Sequence, residues 1–332
     1  MIRVGVTGLT GMIGKNLLAR HAGSQEAGRE IELIAFTRPG SDTGELRRRR
    51  IECRQIDYSR RESFSLQLED IDVLLHLAGL TKAVKPSEYY RANTQATSVL
   101  LAALSRYGSR VKQILFSSST SASGPAASPR EPKREDDPCT PVSHYGRSKL
   151  QAEQLIRSSG LSYTIVRLPA VWGPYDYDGL NLFRMARSGL ITLFGRPQDP
   201  YSYLCAQDAG RFFLRMILDR RVYDNTYNLC YDRPLSGREF YLKVRRELGL
   251  TPGYRYLRVP RWASYPARAW LGLQQRISRR ASIVNPDKIK ELSALYWIYS
   301  NEKIKRALAV SSIEERGAFL ETVRWFRDRK LL

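Results

Sequence analysis

The first 22 residues read as a buried strand, a glycine-rich turn and a helix. Ile2 to Thr7 is an apolar strand pattern, and the segment VTGLTGMIG then sets Gly8, Gly11 and Gly14 at the start of a helical pattern over 12–22. Glycines at this spacing allow a tight turn and let a pyrophosphate approach the backbone N–H groups of the helix N-terminus. Three glycines alone would also fit a purely structural turn, but their place in a first βα unit favours dinucleotide binding.

Strand and helix patterns alternate through the rest of the first half, which predicts βαβ units and a parallel sheet. Further apolar strands are predicted at 31–37, 73–78, 113–118, 163–168 and 227–230, and helices at 87–107, 144–159 and 207–219. Beyond about residue 235 the pattern changes to helices with arginine-rich faces, near 236–248, 266–282 and 313–328.

We therefore predict an α/β fold: a Rossmann-type doubly wound parallel sheet with a smaller, mostly helical C-terminal substrate-binding domain. The dinucleotide-binding domain is assigned to 1–174 plus about 201–232. The substrate-binding domain is assigned to about 175–200 plus 233–332. The polar segment 123–142 has too few apolar residues for an element of its own, so it is predicted to be a loop and a candidate lid over the site.

Composition narrows the class of protein. The 332 residues are 42% hydrophobic, and the sequence has neither an apolar run of membrane-spanning length nor a signal-peptide pattern at its start. We expect a cytoplasmic protein, with peripheral membrane association left open. The four cysteines are far apart and lack metal-type spacing, so we expect reduced structural thiols and no metal.

The formal charge of +21 favours anionic partners. A basic run at 47–50 has no nucleic-acid-binding motif around it, so we do not expect nucleic acid to be a partner. Within 264–282 an apolar helical stripe is surrounded by arginines, a pattern that fits either a helix at an anionic membrane surface or a packed helix with extended arginines. The residues of this pattern are Trp270, Leu273 and Ile277, with Arg268, Arg276, Arg279 and Arg280.

The end of the second predicted strand indicates the cofactor. A carboxylate there would bind the ribose diol of NAD, whereas this chain has Thr37 followed by Arg38. A guanidinium suits a 2′-phosphate, so NADP(H) is expected to be preferred, with NAD(H) still acceptable. Asp57, after the next strand, is a candidate to bind the adenine amino group.

Tyr145 and Lys149 in YGRSK lie four residues apart, so on a helix both side chains share one face. An ammonium near a phenol favours the phenolate, so Lys149 is expected to lower the pKa of Tyr145 towards neutral and prepare it for proton transfer. About 25 residues earlier, FSSSTSASG ends a predicted strand in hydroxyl groups, including Ser119.

The chain here resembles the extended short-chain dehydrogenase/reductase superfamily (the NAD-dependent epimerase/dehydratase family). This includes nucleotide-sugar epimerases and dehydratases and the 3β-hydroxysteroid dehydrogenase and dihydroflavonol reductase-like enzymes. The resemblance covers most of the chain and rests on VTGLTGMIG, HLAGLTKA, YYRAN, FSSSTSASG, YGRSK, VRLPAVWGP and YNLC. The C-terminal half looks closest to the 3β-hydroxysteroid dehydrogenase and dihydroflavonol reductase-like branch.

The resemblance implies a role for each matching residue. Ser119 would bind the substrate oxygen, Tyr145 would be the acid/base, Lys149 would hold the nicotinamide ribose, and Asn93 would support them. The cofactor would also be lined by segments that match the family framework: Gly8, Thr10, Gly11, Met12, Ile13, Gly14, Leu77, Ala78, Gly79, Pro169 and Val171. Candidate substrate-lining residues are Thr81, Ser121, Tyr175 and Phe183, with Asp176 and Tyr177 beside them.

Three functions are compatible with this resemblance. Family dehydratases carry an acidic residue directly after the catalytic hydroxyl, and this chain has Thr120 and Ser121 there, so dehydration is disfavoured. Oxidation or reduction of a fairly apolar substrate is favoured. A nucleotide-sugar epimerase with tightly bound NAD is the alternative, with Asn181, Leu182 and nearby arginines as candidate contacts. A non-catalytic assembly partner that binds NADP(H) is a third reading, and a homodimer is expected from the family.

Overall fold

The apolar runs of the sequence form a seven-stranded parallel sheet in this computed structural model, which describes residues 1–194, 199–253, 255–259, 285–294 and 296–332. With strands numbered in chain order, the sheet contains β1 (Ile2–Thr7), β2 (Ile31–Thr37), β3 (Glu52–Gln55), β4 (Val73–His76), β5 (Gln113–Ser119), β6 (Tyr163–Leu168) and β11 (Asn225–Asn228). Short strands outside the sheet are β7 (Ala170–Trp172), β8 (Leu190–Phe194), β9 (Pro200–Tyr201), β10 (Tyr203–Cys205), β12 (Leu235–Ser236) and β13 (Arg255–Val259).

The strand order is β3-β2-β1-β4-β5-β6-β11, and every neighbouring pair is parallel. Val4 of β1 lies opposite Leu33 of β2 on one side and Val73 of β4 on the other. The order reverses at β1 and β4, and ligands of doubly wound sheets bind in the crevice at such a reversal. This confirms the predicted fold class.

Helices cover both faces of the sheet. They are α1 (Met12–Ala22), α2 (Gln25–Glu30), α3 (Gly44–Arg48), α4 (Pro86–Tyr89), α5 (Ala96–Tyr107), α6 (Thr120–Ser123), α7 (His144–Arg157), α8 (Leu180–Ser188), α9 (Ala206–Leu218), α10 (Gly237–Glu247), α11 (Pro286–Ser293), α12 (Glu302–Leu308) and α13 (Ala318–Asp328). Helix α1 packs with α9 on one face, whereas α5 and α7 pack on the other. The inner strands therefore bury both sides, as their continuous apolar patterns predict, whereas the edge strand β3 is polar and mostly exposed.

Several predicted helices have different bounds in the structure. The helix expected over 87–107 contains a π-helical turn at Tyr90–Gln95 between α4 and α5. The helix expected from 313 begins at Ala318, because Gly317 before it takes a left-handed conformation with φ 68°. The helix expected at 266–282, with its arginine and tryptophan pattern, lies outside the described residues.

Aromatic side chains join the C-terminal helices to one face of the sheet. The Trp172 ring lies 4.3 Å from the Phe319 ring, and Phe183 packs 5.2 Å from Phe326. Phe183 is 0% exposed. The expectation that it lines the substrate pocket is therefore wrong, since its ring fills this aromatic core.

Segment 123–142 is an irregular loop, as predicted, but buried polar groups hold it in place. The Lys133 ammonium, 7% exposed, donates to the carbonyls of Ser123 and Pro125 at 2.8 and 3.2 Å. The Glu135 carboxylate, also buried, accepts the backbone N–H of Asn228 at 2.9 Å. Opening this loop would separate the buried Glu135 carboxylate from the N–H of Asn228, so the expectation of a lid is not supported by its packing.

All four cysteines are free thiols, as expected. Burial raises the pKa of Cys205 and Cys230 to about 12, which keeps these two thiols protonated and unreactive. Within the described ranges, no set of His, Cys, Asp or Glu side chains is grouped to hold a metal. None of the helices in those ranges is long and apolar enough to cross a bilayer.

Candidate active site

The glycine turn after β1 packs so closely on its neighbours that side chains are excluded at two of its positions. Gly8 has φ +77°, and a Cβ there would lie 2.6 Å from the Ala78 backbone nitrogen. A Cβ on Gly14 would lie 2.5 Å from the Cα of Leu9. Gly11 is the N-cap of α1, which has neither a side-chain cap nor an acidic residue in its first turn. The free N–H groups and the positive helix end fit the pyrophosphate of a nicotinamide dinucleotide.

The other predicted turn residues lie where that dinucleotide would pass. Thr10, Met12 and Ile13 are partly exposed in the turn and at the start of α1. Leu77, Ala78 and Gly79 follow β4 directly, and Pro169 and Val171 follow β6. All of these segments lie beyond the carboxyl ends of parallel strands, as cofactor-lining segments of such a sheet do.

A chain of buried hydrogen bonds links the glycine turn to the π-helical turn. Ala78 N–H donates to Thr7 Oγ1 at 3.2 Å, Thr7 Oγ1 lies 2.7 Å from His76 Nδ1, and His76 Nε2 lies 3.0 Å from Thr97 Oγ1. Thr97 Oγ1 donates to the carbonyl of Asn93 at 2.6 Å. These directions require a neutral His76 protonated on Nε2. Burial lowers the pKa of His76 to about 3, which agrees with that form.

Arg38 is exposed directly after β2, and its guanidinium has no ion pair or hydrogen bond to the rest of the described chain. It is therefore available to a ligand at the end of β2. Asp57 is partly exposed, and its carboxylate accepts hydrogen bonds from the N–H and the hydroxyl of Ser59 at 2.8 and 2.7 Å. One oxygen of Asp57 is thus already used to hold its own turn.

Ser119 and Tyr145 come together at the carboxyl end of β5. The Ser119 side chain lies close enough to the Tyr145 hydroxyl to lower its pKa as a hydrogen-bonding group. Ser119 Oγ also accepts the N–H of Ser121 at 3.1 Å as the N-cap of α6. The short helix thus fixes the serine, and its hydroxyl proton stays available for an oxygen placed between the two side chains.

The electrostatics of Tyr145 differ from the expectation. Its pKa is raised above the usual value, first by burial and then by the negative charge of Glu291 and the neighbouring Tyr89, while the Ser119 hydrogen bond opposes the rise. Burial lowers the pKa of Lys149 to about 7. The predicted lowering of the phenol pKa by Lys149 is therefore wrong in this geometry, where desolvation of the phenolate dominates.

The Lys149 ammonium is directed towards β5. Its Nζ donates to the carbonyl of Ser117 at 2.6 Å and lies 4.1 Å from the centre of the Phe116 ring. A Cβ on Gly79 would lie 3.7 Å from the same Nζ. Lys149 therefore lies between the end of β5 and the segment after β4, where a nicotinamide ribose would be held in this fold.

Asn93 is buried in the π-helical turn and joins two parts of the site. Its Oδ1 accepts the N–H of Leu80 at 2.7 Å, and its Nδ2 donates to the Leu80 carbonyl at 3.1 Å. The same Nδ2 donates to Ser148 Oγ at 2.9 Å. Asn93 thus holds the segment after β4 against α7.

A buried ion pair lies one helical turn beyond Lys149. The Glu153 carboxylate accepts two hydrogen bonds from Arg167 of β6, at 3.0 and 2.8 Å, and both side chains are essentially inaccessible to solvent. Ser118 Oγ donates to the same carboxylate at 2.6 Å. The pair fixes α7 across β5 and β6. The negative charge of Glu153 also opposes the fall in the pKa of Lys149.

The predicted substrate-lining residues do not all gather at Ser119. Ser121 is buried in α6 beside it, and Thr81 is exposed after β4. Tyr175 instead packs 4.7 Å from Trp325 and donates to Glu45 at 3.3 Å, close to the first turn of α1. Tyr177 is 57% exposed, and burial raises the pKa of Asp176 to about 6.

Residues of α11 also contact this site, and no pattern in the sequence predicted that they would. Asp287 accepts the backbone N–H groups of His144 and Tyr145 at 2.8 and 3.0 Å. Glu291 accepts the Ser143 hydroxyl at 2.7 Å. No motif marks these carboxylates, because their role depends on how a segment distant in sequence docks on α7.

A family model described as "NAD dependent epimerase/dehydratase family" matches residues 4–230 of the chain. A ceramide reductase of Caulobacter vibrioides is 29% identical over 339 aligned residues, covering 98% of this chain and 94% of that protein. Sterol demethylase protein B of Methylococcus capsulatus is 26% identical and covers 98% and 99%. These two relatives match across the whole chain, beyond the family model.

Among solved structures, the UDP-glucose 4-epimerase of Thermotoga maritima superposes with a TM-score of 0.76 at 20% identity. The superposition covers 99% of this chain and all of the other. At this identity the likeness concerns the fold alone, and it extends over the C-terminal region as well as the sheet.

Proposed function

Since the chain belongs to the NAD-dependent epimerase/dehydratase family, we propose that it is an NADP(H)-dependent oxidoreductase that reduces a carbonyl group, or oxidises the matching secondary alcohol, on a fairly apolar substrate. The observation that carries this proposal is the pairing of Ser119 and Tyr145 at the end of β5, with Lys149 one turn along α7. A hydroxyl pair and a lysine so arranged can bind a carbonyl oxygen and protonate it.

The chemistry divides between cofactor and protein. A bound nicotinamide would supply the hydride that adds to the carbonyl carbon. Tyr145 then donates its hydroxyl proton to the carbonyl oxygen, and the Ser119 hydroxyl donates a hydrogen bond to the same oxygen. The product is a secondary alcohol, and Lys149 and bulk water restore the proton of Tyr145. In the oxidative direction each of these transfers is reversed.

One observation supports NADP(H) as the cofactor. Arg38 is exposed at the end of β2, where a 2′-phosphate would lie, and has no ion pair or hydrogen bond within the described residues. A planar guanidinium can form paired, charge-assisted hydrogen bonds with a phosphate. NAD(H) remains acceptable, because no carboxylate at the end of β2 selects either cofactor.

The apolar substrate is supported by the surroundings of Tyr145 and by the relatives. The Tyr89 ring lies 5.8 Å from the Tyr145 ring, which gives the site an aromatic wall. The ceramide reductase matches 98% of this chain, whereas a UDP-glucose 4-epimerase of Azospirillum brasilense matches 28% of it. On the second-domain side, the Arg245 guanidinium is buried and already donates to the carbonyls of Ala186 and Thr251.

Replacing Tyr145 with Phe tests the proposal. The variant removes the proton donor and keeps the ring, so we expect carbonyl reduction with NADPH to fall by about two orders of magnitude or more while NADPH binding is retained. Undiminished turnover in Tyr145→Phe would reject the mechanism. A cellular role that survives in this variant would favour an assembly partner that binds NADP(H) without turnover.

The epimerase alternative predicts a different result for the purified protein. An epimerase of this family would retain NAD tightly, and mass spectrometry of the protein as isolated should then find NAD with a nucleotide-sugar. An exchangeable cofactor with a clear preference for NADPH over NADH in a binding titration supports the reductase. Retained NAD without NADPH exchange would favour the epimerase instead.

We also propose peripheral contact with an anionic membrane surface. Arg255 of β13 pairs with Leu190 of β8, and Leu257 lies two residues further along, so the three side chains share one face of this ribbon. Leu190 is 58% and Leu257 60% exposed. Exposed leucines beside arginines suit an anionic lipid interface, in a chain of charge +21. Absence of binding to anionic vesicles at moderate salt would contradict this.

A further inference from the structure

Helix α11 docks its acidic face on the start of α7, the helix that carries Tyr145 and Lys149. Asp287 and Glu291 are four residues apart on α11, so both carboxylates point the same way. Asp287 accepts the N–H groups of His144 and Tyr145 at 2.8 and 3.0 Å, so the backbone of the tyrosine itself is held by this carboxylate.

Glu291 holds the same helix end through Ser143, the N-cap of α7. Ser143 Oγ accepts the N–H of Gly146 at 2.9 Å and donates to Glu291 Oε1 at 2.7 Å. Glu291 is 5% exposed and also forms a side-chain hydrogen bond with Ser121, next to Ser119. Its carboxylate therefore lies at the junction of α6, α7 and α11.

The first turn of α7 has no acidic residue of its own. Acidic groups normally occupy that position, because they offset the positive end of the helix dipole. Here α11 supplies the negative charge instead. An uncompensated helix N-terminus would favour the phenolate form of Tyr145, and the negative charge of Glu291 acts against that ionisation, while Asp287 fixes the backbone.

We infer that Asp287 and Glu291 are positioning residues for Tyr145: Asp287 fixes its backbone, and the negative charge of Glu291 favours its neutral, proton-donating form, which adapts the site to carbonyl reduction. This inference rests on the oxidoreductase function proposed above and deepens it. Reduction requires a phenol that can give a proton to the carbonyl oxygen, whereas oxidation begins from the phenolate.

The groups that face Tyr145 from each packed element agree with this reading. Tyr89 of α4 lies beside its ring, Ser119 of β5 bonds its hydroxyl, and Glu291 raises its pKa. Lys149 is directed to the Ser117 carbonyl. Two further titratable groups lie nearby but contact other partners. His144 Nδ1 lies 3.1 Å from the Tyr90 hydroxyl, and the Lys288 ammonium pairs with the Glu291 carboxylate at 2.7 Å.

The pair Asp287→Asn and Glu291→Gln removes both charges and keeps side-chain size, although each amide retains only one acceptor oxygen, so that one of the two N–H groups held by Asp287 loses its acceptor. We expect the alkaline limb of kcat/KM for carbonyl reduction, where protonated Tyr145 is lost, to move down by about one pH unit in the double variant. Glu314→Gln, which removes an exposed carboxylate elsewhere in the C-terminal region, is the matched control and should leave the limb in place.

A purely structural role would lower the rate equally at every pH and leave the limb where it is, and that result would overturn the inference. The Glu291→Asp variant keeps a negative charge at this position, so the alkaline limb of its kcat/KM profile should lie close to that of the wild type.

A second measurement needs no substrate. An NMR titration of the protein labelled in its tyrosine ring carbons follows ionisation of each phenol, and Tyr145→Phe identifies the signal of Tyr145. We expect that signal to titrate at lower pH in the double variant than in the wild type. An unchanged titration would overturn the role of the carboxylates. If no carbonyl compound is turned over, the proposed function fails, yet this titration still decides whether Asp287 and Glu291 control the phenol.

Discussion

The side-chain amide of Asn93 donates a 2.9 Å hydrogen bond to the hydroxyl of Ser148, and this bond joins the π-helical turn to α7. Ser148 Oγ in turn donates to the carbonyl of Tyr145 at 2.7 Å. Tyr145, the proposed acid/base, is therefore held through its own backbone by way of a side chain on a different element. A π-helical turn is a frequent mark of a functional site, and here it presents Asn93 to both Leu80 and Ser148.

Replacing Asn93 with Ala should impair both stability and turnover. The change leaves the N–H and carbonyl of Leu80 without their partner inside the protein, so we expect a loss of about 1–3 kcal/mol in the free energy of unfolding. Ser148→Ala removes one hydrogen bond of the same network and should cost about 1 kcal/mol. Denaturant titration and kcat/KM measure the two effects. Equal stability of Asn93→Ala and wild type would contradict the role of Asn93.

Replacing Arg38 with Ala should separate the two cofactors. Because a charge-assisted hydrogen bond to a 2′-phosphate contributes to the binding free energy of NADPH alone, we expect Arg38→Ala to bind NADPH at least about tenfold more weakly, with little change for NADH. Arg47→Ala, in the nearby basic run, is the matched control and should leave the ratio of the two dissociation constants unchanged. If Arg38→Ala lost affinity for NADPH and NADH to the same extent, Arg38 would not recognise the 2′-phosphate.

Acid should destabilise the fold through His76. Burial lowers its pKa from 6.5 in the unfolded chain to about 3, so the unfolded state binds the proton first as the pH falls. The contribution of neutral His76 is complete above pH 6.5 and is lost between there and about 3, at about 1.4 kcal/mol per pH unit. Denaturant titrations at several pH values should show a shallower slope for His76→Gln than for wild type. His21→Gln, which replaces a histidine outside the sheet, is the control, and equal slopes in all three proteins would contradict the prediction.

The Glu153 carboxylate allows a comparison between a buried and a partly exposed partner. Arg167→Met leaves a buried carboxylate without its main cation, and we expect a loss of about 3–5 kcal/mol in the free energy of unfolding. Arg157→Met removes the second arginine of Glu153, which is 33% exposed, and should cost less than about 1 kcal/mol. When Glu153→Met is combined with Arg167→Met, the protein should recover much of the stability that Arg167→Met alone loses. Similar losses in the two single variants would show that burial does not decide the strength of this pair.

The sequence alone predicted the buried strands of the sheet and the segments at its carboxyl edge, but β3, whose residues are mostly exposed, had no predicted bounds. Strands such as β2 are buried on both faces and must be apolar throughout, so their limits are visible in the residues themselves. The glycine turn and the Tyr145 and Lys149 pair are also local patterns, because a turn and one helix face each depend on residues a few positions apart. The burial of Phe183 was not visible, since a phenylalanine in a core and one in a pocket have the same local pattern.

The protonation of Tyr145 was decided only by the tertiary structure. Lys149 is four residues away and is the charge that the sequence makes visible, yet burial and the carboxylate of Glu291, which lies 146 positions along the chain, act in the opposite direction. Desolvation and Coulomb interactions depend on distance in space and on the surrounding dielectric, neither of which sequence separation records. The sequence thus identified the groups proposed to carry the chemistry, and burial, followed by the packing of α11 on α7, decided the direction in which the pKa of Tyr145 shifts.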